Sequence, residues 1–240
     1  MTGLSEMGRR TFLGGAVLGL TGCVSLPSPP LEAADGWSHV RLPGKKASLY
    51  RTTVKEGRAA IEARAEGSAS LWRRPLDLAP EALGEVNFSW WVQSLLPRSD
   101  VRDAGREDAV VRVLFAFDGD RSRLSARNRA LFELAELLTG EPPPFATLMY
   151  VWERQAPLET VIHNPRTDRV RKIVVDTGTE HLGRWREHRR RLDLDYQRAF
   201  GEPPGRLQSV ALMSDADNTG GSVRAWYGPV ELAGQSLTGA

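Results

Sequence analysis

The sequence has almost no cysteine, no excess of charge of one sign and no apolar run long enough to span a membrane. Cys23 is the only cysteine among 240 residues, which excludes a disulfide framework and a zinc site built from cysteines. Lys and Arg number 32 against 30 Asp and Glu, so the formal charge is +2 and no nucleic-acid partner is expected. The composition of the whole chain, 41% apolar and 26% charged, is typical of a globular protein with one hydrophobic core.

The first residues are typical of an export signal. Arg9 and Arg10 stand directly before the apolar run 12–20, which is shorter than the roughly 20 residues a membrane span needs. A basic start followed by a short apolar run is typical of an export signal, and the arginine pair resembles the twin-arginine signal. A plain secretory signal is the alternative.

The next residues predict a lipid anchor. Leu20-Thr21-Gly22-Cys23 resembles a bacterial lipobox, in which the cysteine thiol accepts a diacylglycerol before cleavage; a buried inert thiol is the alternative. Val24 after the cysteine favours the outer membrane by resemblance to Gram-negative sorting rules. We therefore predict a signal peptide over 1–22, a lipidated N-terminus with a proline-rich spacer over 23–46, and a single domain over 47–240.

The pattern beyond residue 47 predicts mainly β-structure. Residues 47–55 and 58–65 flank Glu56-Gly57 as a hairpin, and Val86, Phe88, Trp90 and Val92 alternate on one face. Apolar spacing of three, four and seven predicts a helix over 124–139. Residues 184–194 are ambiguous, but their alternation favours a strand, which is followed by a short helix over 194–200. Further strands are predicted over 69–73, 109–117, 147–152, 158–162, 170–176, 208–214 and 222–231. Many short strands with Gly, Pro and Asn turns indicate a two-layer antiparallel β-sandwich with one or two helical insertions.

Several segments, in order, resemble the bacterial family known as domain of unknown function 3047. The resemblance covers about residues 49–232 and includes Trp90-Trp91-Val92, Asn164-Pro165-Arg166-Thr167-Asp168, Asp195-Tyr196-Gln197-Arg198, Ser214-Asp215-Ala216-Asp217-Asn218-Thr219 and Ala225-Trp226-Tyr227-Gly228. It implies a secreted or envelope-bound jelly-roll sandwich similar to galactose-binding and lectin-like modules. It implies no activity, because the family has none established.

Acidic residues near the C-terminus suggest a metal site. Asp215 and Asp217 share a strand face if they end a strand, and with Asn218 they offer hard oxygens suited to a structural Ca²⁺. The alternative is a plain hairpin turn, since Asp, Asn and Gly favour turn conformations.

A second acidic pair, Glu107 and Asp108, precedes a predicted strand. Two carboxylates about 5 to 10 Å apart are what a glycosidase needs, so these two are weak catalytic candidates. Solvated loop charges are the alternative.

Aromatic side chains are the candidate ligand-binding set, because flat rings with a polar edge stack against sugar faces. Trp91 is the best candidate for exposure, since Trp90 shares the register of Val86 and Phe88. Burial in the core is the alternative for each member of the set, which comprises Trp91, Tyr150, Trp152, Trp226 and Tyr227.

The leading functional hypothesis is a non-catalytic envelope lipoprotein that binds carbohydrate or another cell-surface ligand. It is held by its N-terminal lipid, with no transmembrane helix in the mature protein, on the periplasmic face of the outer membrane. Two alternatives stay open: a polysaccharide hydrolase or lyase with paired carboxylates, and a structural partner in an envelope assembly.

Overall fold

Apolar residues that alternate along the strands build two β-sheets, which bury these residues between them. A computed structural model describes residues 33–237. Fifteen strands lie in this part of the chain, and the chain crosses between the two sheets several times along its length.

Eight strands form the larger sheet: β1 (Ala33–Ala34), β2 (Trp37–Arg41), β5 (Ser70–Leu78), β7 (Arg112–Phe117), β8 (Ala146–Glu153), β9 (Val161–His163), β10 (Val170–Thr177) and β12 (Leu207–Met213). Their spatial order is β1-β2-β5-β12-β7-β8-β10-β9. Every pairing in this sheet is antiparallel except that of β8 with β10, so the predicted antiparallel sandwich carries one parallel pair.

Seven strands form the smaller sheet: β3 (Leu49–Lys55), β4 (Arg58–Glu66), β6 (Glu85–Val92), β11 (Trp185–Arg191), β13 (Ser222–Tyr227), β14 (Glu231–Leu232) and β15 (Gln235–Ser236). Strand β6 is central. It pairs with β11 along one edge, and with β13 and then β14 along the other.

The predicted mainly β, two-layer sandwich with two helical insertions is confirmed. Val86, Phe88, Trp90 and Val92 of β6 are all at most 2% exposed and face the larger sheet. On the larger sheet the predicted core face of β7 (Val113, Phe115, Phe117) is fully buried, together with Val111 just before that strand.

The helices are α1 (Ala126–Thr139) and α2 (Leu192–Phe200). Ser125 caps α1 by accepting a hydrogen bond from the Asn128 N–H at 3.2 Å, and Gly140 ends the helix with a positive φ. The predicted leucine stripe of α1 does not pack: Leu134 and Leu138 are 52% and 63% exposed. Neither helix among residues 33–237 is long and apolar enough to cross a bilayer.

Two sequence predictions about boundaries are wrong. The predicted spacer contains β1 and β2, and β2 pairs with β5, so the sandwich begins before residue 47. The strand predicted over 69–73 is longer than expected, because β5 continues through Pro75 to Leu78. Pro75 is tolerated since β2 pairs only with residues 70–73 of β5, which leaves the proline at a local sheet edge.

A buried carboxylate joins the two sheets. Asp176 on β10 is 1% exposed and accepts hydrogen bonds from Trp90 Nε1 at 2.8 Å, Arg186 Nε at 2.9 Å and His188 Nε2 at 2.8 Å. Burial raises the pKa of the Asp176 carboxyl, but hydrogen bonds and charge from His188, then from Trp90 and Arg186, hold the pKa below its usual value. The carboxylate therefore stabilises the fold above pH 4.

We expect Asp176→Asn to lower the free energy of unfolding by about 3 kcal/mol at pH 7, because it leaves buried cationic donors without their anion. The pKa of Asp176 is lowered on folding, so its contribution is lost as pH falls through the folded pKa. Urea unfolding at pH 7 and pH 3 measures both effects. Asp77→Asn, an exposed aspartate paired with Arg206, is the control and should cost under about 0.5 kcal/mol; a cost for Asp176→Asn that does not shrink at pH 3 would contradict this account.

Candidate functional site

A groove of about 340 Å³ crosses the outer face of the smaller sheet. We call it the β6 groove. Its floor is β6 at Asn87 and Ser89, and the neighbouring strands present Glu187, Arg189 and Glu231 along its sides. Arg58 and Pro229 close one end.

A break in the strand order creates this groove. Strand β13 pairs with residues 90–92 of β6 and β14 with residues 86–87. The Gly228 N–H still donates to the Ser89 carbonyl at 3.0 Å, so the ladder is interrupted at residues 229–230, opposite Phe88. Gly228 suits this close approach, since a Cβ on it would lie 2.2 Å from Ser89 Oγ. Pro229 has no N–H to offer a strand partner. The sheet is consequently open on one side of β6.

Three side chains in the groove have unused hydrogen-bonding capacity. Within residues 33–237, the Asn87 amide, the Ser89 hydroxyl and the Glu231 carboxylate make no side-chain hydrogen bond or ion pair. Polar side chains in folded proteins usually have partners unless they face water or a ligand. These groups can therefore bind a polar ligand without breaking a protein contact.

Tryptophans lie beside the groove. Trp226, Trp91 and Trp185 are cross-strand neighbours on the outer face of β13, β6 and β11. Trp91 and Trp226 pack edge to face at 5.0 Å, and the Lys55 ammonium lies 3.5 Å above the Trp91 ring. At 8% and 5% exposed both are covered, contrary to the expected exposure of Trp91.

Trp185 is the most accessible of the three and adjoins the groove. A Cβ at Gly228 would lie 3.5 Å from its ring, and the Arg58 guanidinium stands 5.2 Å from the ring centre. Arg58 also pairs with Glu187 across the groove. Both members of that pair are more than half exposed, so solvent screens their attraction and a ligand can displace it.

The other predicted aromatic candidates are core residues. Tyr150, Trp152 and Tyr227 are at most 1% exposed, and their polar edges already have partners: Asp195 Oδ2 at 2.9 Å, the Gly178 carbonyl at 3.0 Å and the Met213 carbonyl at 2.6 Å, respectively. The prediction that they face a ligand is wrong, because both sheets cover these rings.

The structure brings together the two predicted acidic pairs on the outer side of the larger sheet. Oxygens of Asp108, Asp215 and Asp217 lie within 4.8 Å of one another. Asp108 accepts hydrogen bonds from the N–H of Asn218 at 3.0 Å and of Thr219 at 2.7 Å. With both oxygens bound, Asp108 fixes the turn that follows β12.

Protein cations neutralise this acidic cluster. Arg112 Nη2 lies 2.9 Å from Asp215 Oδ2, and Lys45 pairs with Asp217. Burial raises the pKa of Asp215 to about 7, against the opposing effect of Arg112. The Asn218 amide donates to the Ala104 carbonyl at 3.0 Å. Asp215, Asp217 and Asn218 could hold Ca²⁺ only after some of these contacts are replaced, and the calcium site stays a prediction.

Glu107 belongs to the same buried network. Its Oε1 lies 2.6 Å from Lys172 Nζ and accepts a hydrogen bond from the Asn164 amide at 2.8 Å. Lys172 is fully buried on β10 and also donates to the Val101 carbonyl at 2.9 Å. Burial, with Arg112 adding to it, lowers the pKa of Lys172 to about 8, while Glu107 opposes that shift. Glu107 and Asp108 thus anchor loops, and their catalytic role stays a prediction.

Other predicted residues fall outside the part that the structure describes. Arg9 and Arg10 of the predicted export signal and Cys23, the predicted lipid acceptor, precede residue 33. Sequence reasoning in turn missed Asn87, Ser89, Glu187 and Glu231. The sequence feature that could have indicated the groove is Gly228-Pro229. This dipeptide is typical of turns and interrupts the single strand that was predicted over 222–231.

Two packed sheets, an open polar groove and a buried ionic network define a two-layer β-sandwich protein. The chain belongs to the family described as protein of unknown function (DUF3047), whose model matches residues 35–231. No curated protein sequence matches the chain.

Among solved structures the chain is similar to a family 11 carbohydrate-binding module from Clostridium thermocellum in complex with a β-1,3-1,4-mixed-linked tetrasaccharide, at 12% identity and a TM-score of 0.42 over 85% of this chain and 92% of that one. It is also similar to Trichoderma harzianum endoglucanase 3 of family GH12, at 9% identity and a TM-score of 0.44 over 85% and 93% of the two chains. Similarities at this level carry no argument about ligand or activity.

We expect Lys172→Met to lower the free energy of unfolding by about 3 kcal/mol, because it leaves the buried Glu107 carboxylate without its cation. Adding Glu107→Gln to that variant should recover part of the loss. Urea unfolding at pH 7 measures both, with Lys46→Met as the control at an exposed lysine. A loss for Lys172→Met no larger than that of the control would show that the ion pair does not stabilise the loops.

Proposed function

We propose that this protein is an envelope-anchored lipoprotein that binds a saccharide in the β6 groove and does not cleave it. The observation that carries the proposal is the set of unused polar groups, Asn87, Ser89 and Glu231, on the floor and side of an open groove. A saccharide presents many hydroxyls, each of which can donate and accept. An amide, a hydroxyl and a carboxylate within one groove match that pattern.

Shape and electrostatics agree with this ligand class. The groove is open and shallow, which suits one stretch of a chain-like ligand better than a buried small molecule. Its charges alternate in sign, with Arg189 and Arg58 near Glu187 and Glu231, so it does not select for strong charge. Trp185 offers part of a ring at one end, where the apolar face of a sugar can stack.

A hydrolase would need an acid and a second carboxylate placed across the bound sugar. Glu187 and Glu231 stand on opposite sides of the groove. Binding without cleavage is proposed because Glu187 is already paired with Arg58, and because the buried pair Glu107 and Asp108 lies on the larger sheet, away from the groove. Recovery of the ligand after incubation distinguishes the two hypotheses: intact ligand supports binding without cleavage, and cleaved ligand supports the hydrolase or lyase alternative.

A glycan array followed by calorimetric titration of the best hit tests saccharide binding. Asn87→Ala and Glu231→Gln should each weaken binding about tenfold, because each removes a hydrogen bond to the sugar. Gln208→Ala is the matched control, since it removes an exposed amide from a cleft on the other sheet. Mass spectrometry should recover the saccharide intact. An array without hits, or equal affinities for all four proteins, would overturn the proposal and favour the structural-partner alternative.

Envelope attachment is the second part of the proposal, and it is supported by the lipobox-like Leu20-Thr21-Gly22-Cys23. Acyl chains contribute about 0.8 kcal/mol per buried methylene, so multiple chains give stable anchoring. We propose that Cys23 carries these chains and that the sandwich stands on the periplasmic face of the outer membrane.

Replacing Cys23 by Ser in the full chain tests the anchor. The wild-type protein should partition with outer-membrane fractions, and Cys23→Ser should lose that association while the folded part of the chain keeps its melting temperature. Fractionation on a density gradient with immunoblotting gives the readout. Membrane association that survives the substitution would contradict a lipid anchor at Cys23.

A further inference from the structure

A second pocket, of about 260 Å³, lies at the end of the larger sheet that holds β9 and β10. It forms where the N-terminus of α1 meets the loop 164–168 and the start of β10. Its charged lining consists of Arg127, Arg166, Arg171 and Asp168. Three arginines against one aspartate give the lining a formal charge of +2, although Arg166 also lies 3.7 Å from the Glu107 carboxylate.

Arg171 is the unusual member of this lining. It is 9% exposed, and within the described residues its guanidinium makes no hydrogen bond or ion pair; Nε and Nη1 are buried without an acceptor. Its Cζ lies 5.5 Å from the centre of the Phe200 ring, and the Asp168 carboxylate attracts its charge without forming an ion pair. Burying an unpaired cation is costly unless an anion accompanies it. Burial lowers the pKa of Arg171 in agreement with that cost.

The N-terminus of α1 adds a second source of positive potential. Ser125 Oγ takes up the N–H of Asn128, which leaves the N–H groups of Ala126 and Arg127 without an acceptor inside the helix. Free N–H groups and the helix dipole favour an anion at this position. The helix has 14 residues, enough for a full effect.

The loop that completes the pocket is held in place by its own contacts. Asn164 Oδ1 accepts hydrogen bonds from the N–H of Arg166 at 2.8 Å and of Thr167 at 3.3 Å. Thr167 Oγ1 donates to the Asn128 Oδ1 at 2.9 Å, and the Asn128 amide nitrogen in turn pairs with Asp168. Because Asn164 also binds Glu107, the loop is tied to the buried ionic network and the pocket is preorganised.

We propose that this pocket binds a dianionic oxyanion of the phosphate class, carried by a small solute, with Arg171 as its buried anchor. A phosphate group matches the formal charge of +2, and arginine and helix N–H groups are its usual partners. Arg127 is exposed and makes no side-chain hydrogen bond or ion pair within residues 33–237, so it is free to contact the anion from the solvent side. This site is separate from the β6 groove, which lies on the other sheet.

Calorimetric titration with inorganic phosphate, at constant ionic strength set by chloride, tests the proposal. Wild type should bind phosphate, and phosphate should raise its melting temperature by mass action. Arg171→Gln should weaken phosphate binding by tenfold or more, about the effect of one charge-assisted contact. In chloride alone it should melt close to wild type, because the lost contact with the Phe200 ring and the lost attraction to Asp168 are offset by no longer burying a charge without an ion pair.

Two further variants keep the test decisive. Arg127→Gln removes an exposed arginine of the pocket and should weaken phosphate binding without changing the fold. Arg41→Gln removes an exposed arginine at the opposite edge of the same sheet and should bind phosphate as wild type does. Absence of phosphate binding by wild type, or equal binding by wild type and Arg171→Gln, would overturn the proposal.

A vesicle arm separates the two sources of a phosphate group. Phosphatidic acid vesicles, compared with neutral phosphatidylcholine vesicles, present the same group on a lipid. We expect no gain in vesicle binding that depends on Arg171. Binding to phosphatidic acid vesicles that Arg171→Gln abolishes, without binding of inorganic phosphate, would overturn the assignment to a small solute. Neither outcome bears on saccharide binding, because Asn87 and Glu231 are unchanged throughout.

Discussion

The Asp176 carboxylate is the contact on which the groove side of the sandwich depends. Strand β11 turns Arg186, His188 and Arg190 toward the sandwich interior, an arrangement that would be unfavourable without buried anions. Asp176 accepts from the first two, and Asp195 accepts from Arg190 at 2.9 Å. Because side chains alternate along a strand, fixing the inner set also fixes Trp185, Glu187 and Arg189 on the outer face. One buried aspartate therefore sets the register of the strand that forms a side of the β6 groove.

The charged inner face of β11 also suits its position. An edge strand with unpaired backbone groups invites pairing with another chain, and inward-pointing charges are one way in which proteins prevent it. The basic segment 184–191 is thus largely explained by internal pairing. This explanation leaves little of it free to act as a cationic binding surface, in keeping with the near-zero net charge of the chain.

The two outer faces of the sandwich have different roles. On the larger sheet, Glu107, Lys172, Arg112 and Asp215 lie under loops and pair with one another, so carboxylates there hold loops in place. Removing one partner of a buried pair of this kind is strongly destabilising, because it leaves an uncompensated charge. On the smaller sheet Asn87, Ser89 and Glu231 of the groove lack such partners. The difference between satisfied and unsatisfied polar groups, more than residue type, separates scaffold from candidate site.

Periodicity predicted the strands well where the pattern is local. The hairpin of β3 and β4, the core face of β6 and the strand-then-helix order of β11 and α2 are all as expected, because a two-residue alternation or a turn dipeptide is a property of neighbouring residues. Burial of Trp91 and Trp226 was not predictable in this way, since Lys55 of β3 lies over both rings, 3.5 Å from the centre of Trp91 and 4.6 Å from that of Trp226. The prediction for the leucines of α1 failed for the same reason. A helical stripe shows which face of the helix is apolar, but only the packing shows whether another element covers that face.

The sequence allowed Asp108 to lie close to Asp215 and Asp217, but it did not predict what role the three carboxylates have. Carboxylates at two loop positions can form a catalytic pair, a metal site or an anchor, and the partners decide among them. Here the N–H groups of Asn218 and Thr219 and the side chains of Arg112 and Lys45 are those partners. The groove was hidden in the sequence because its members come from four strands that only the sheet order brings together.

The most direct test of the central claim is an NMR titration of the isotope-labelled protein with the saccharide selected on the array. The account predicts chemical-shift changes concentrated on Asn87, Ser89, Glu187 and Glu231, with the Trp185 indole N–H among the largest. Shifts confined to the larger sheet, or no shift at saturating ligand, would contradict it.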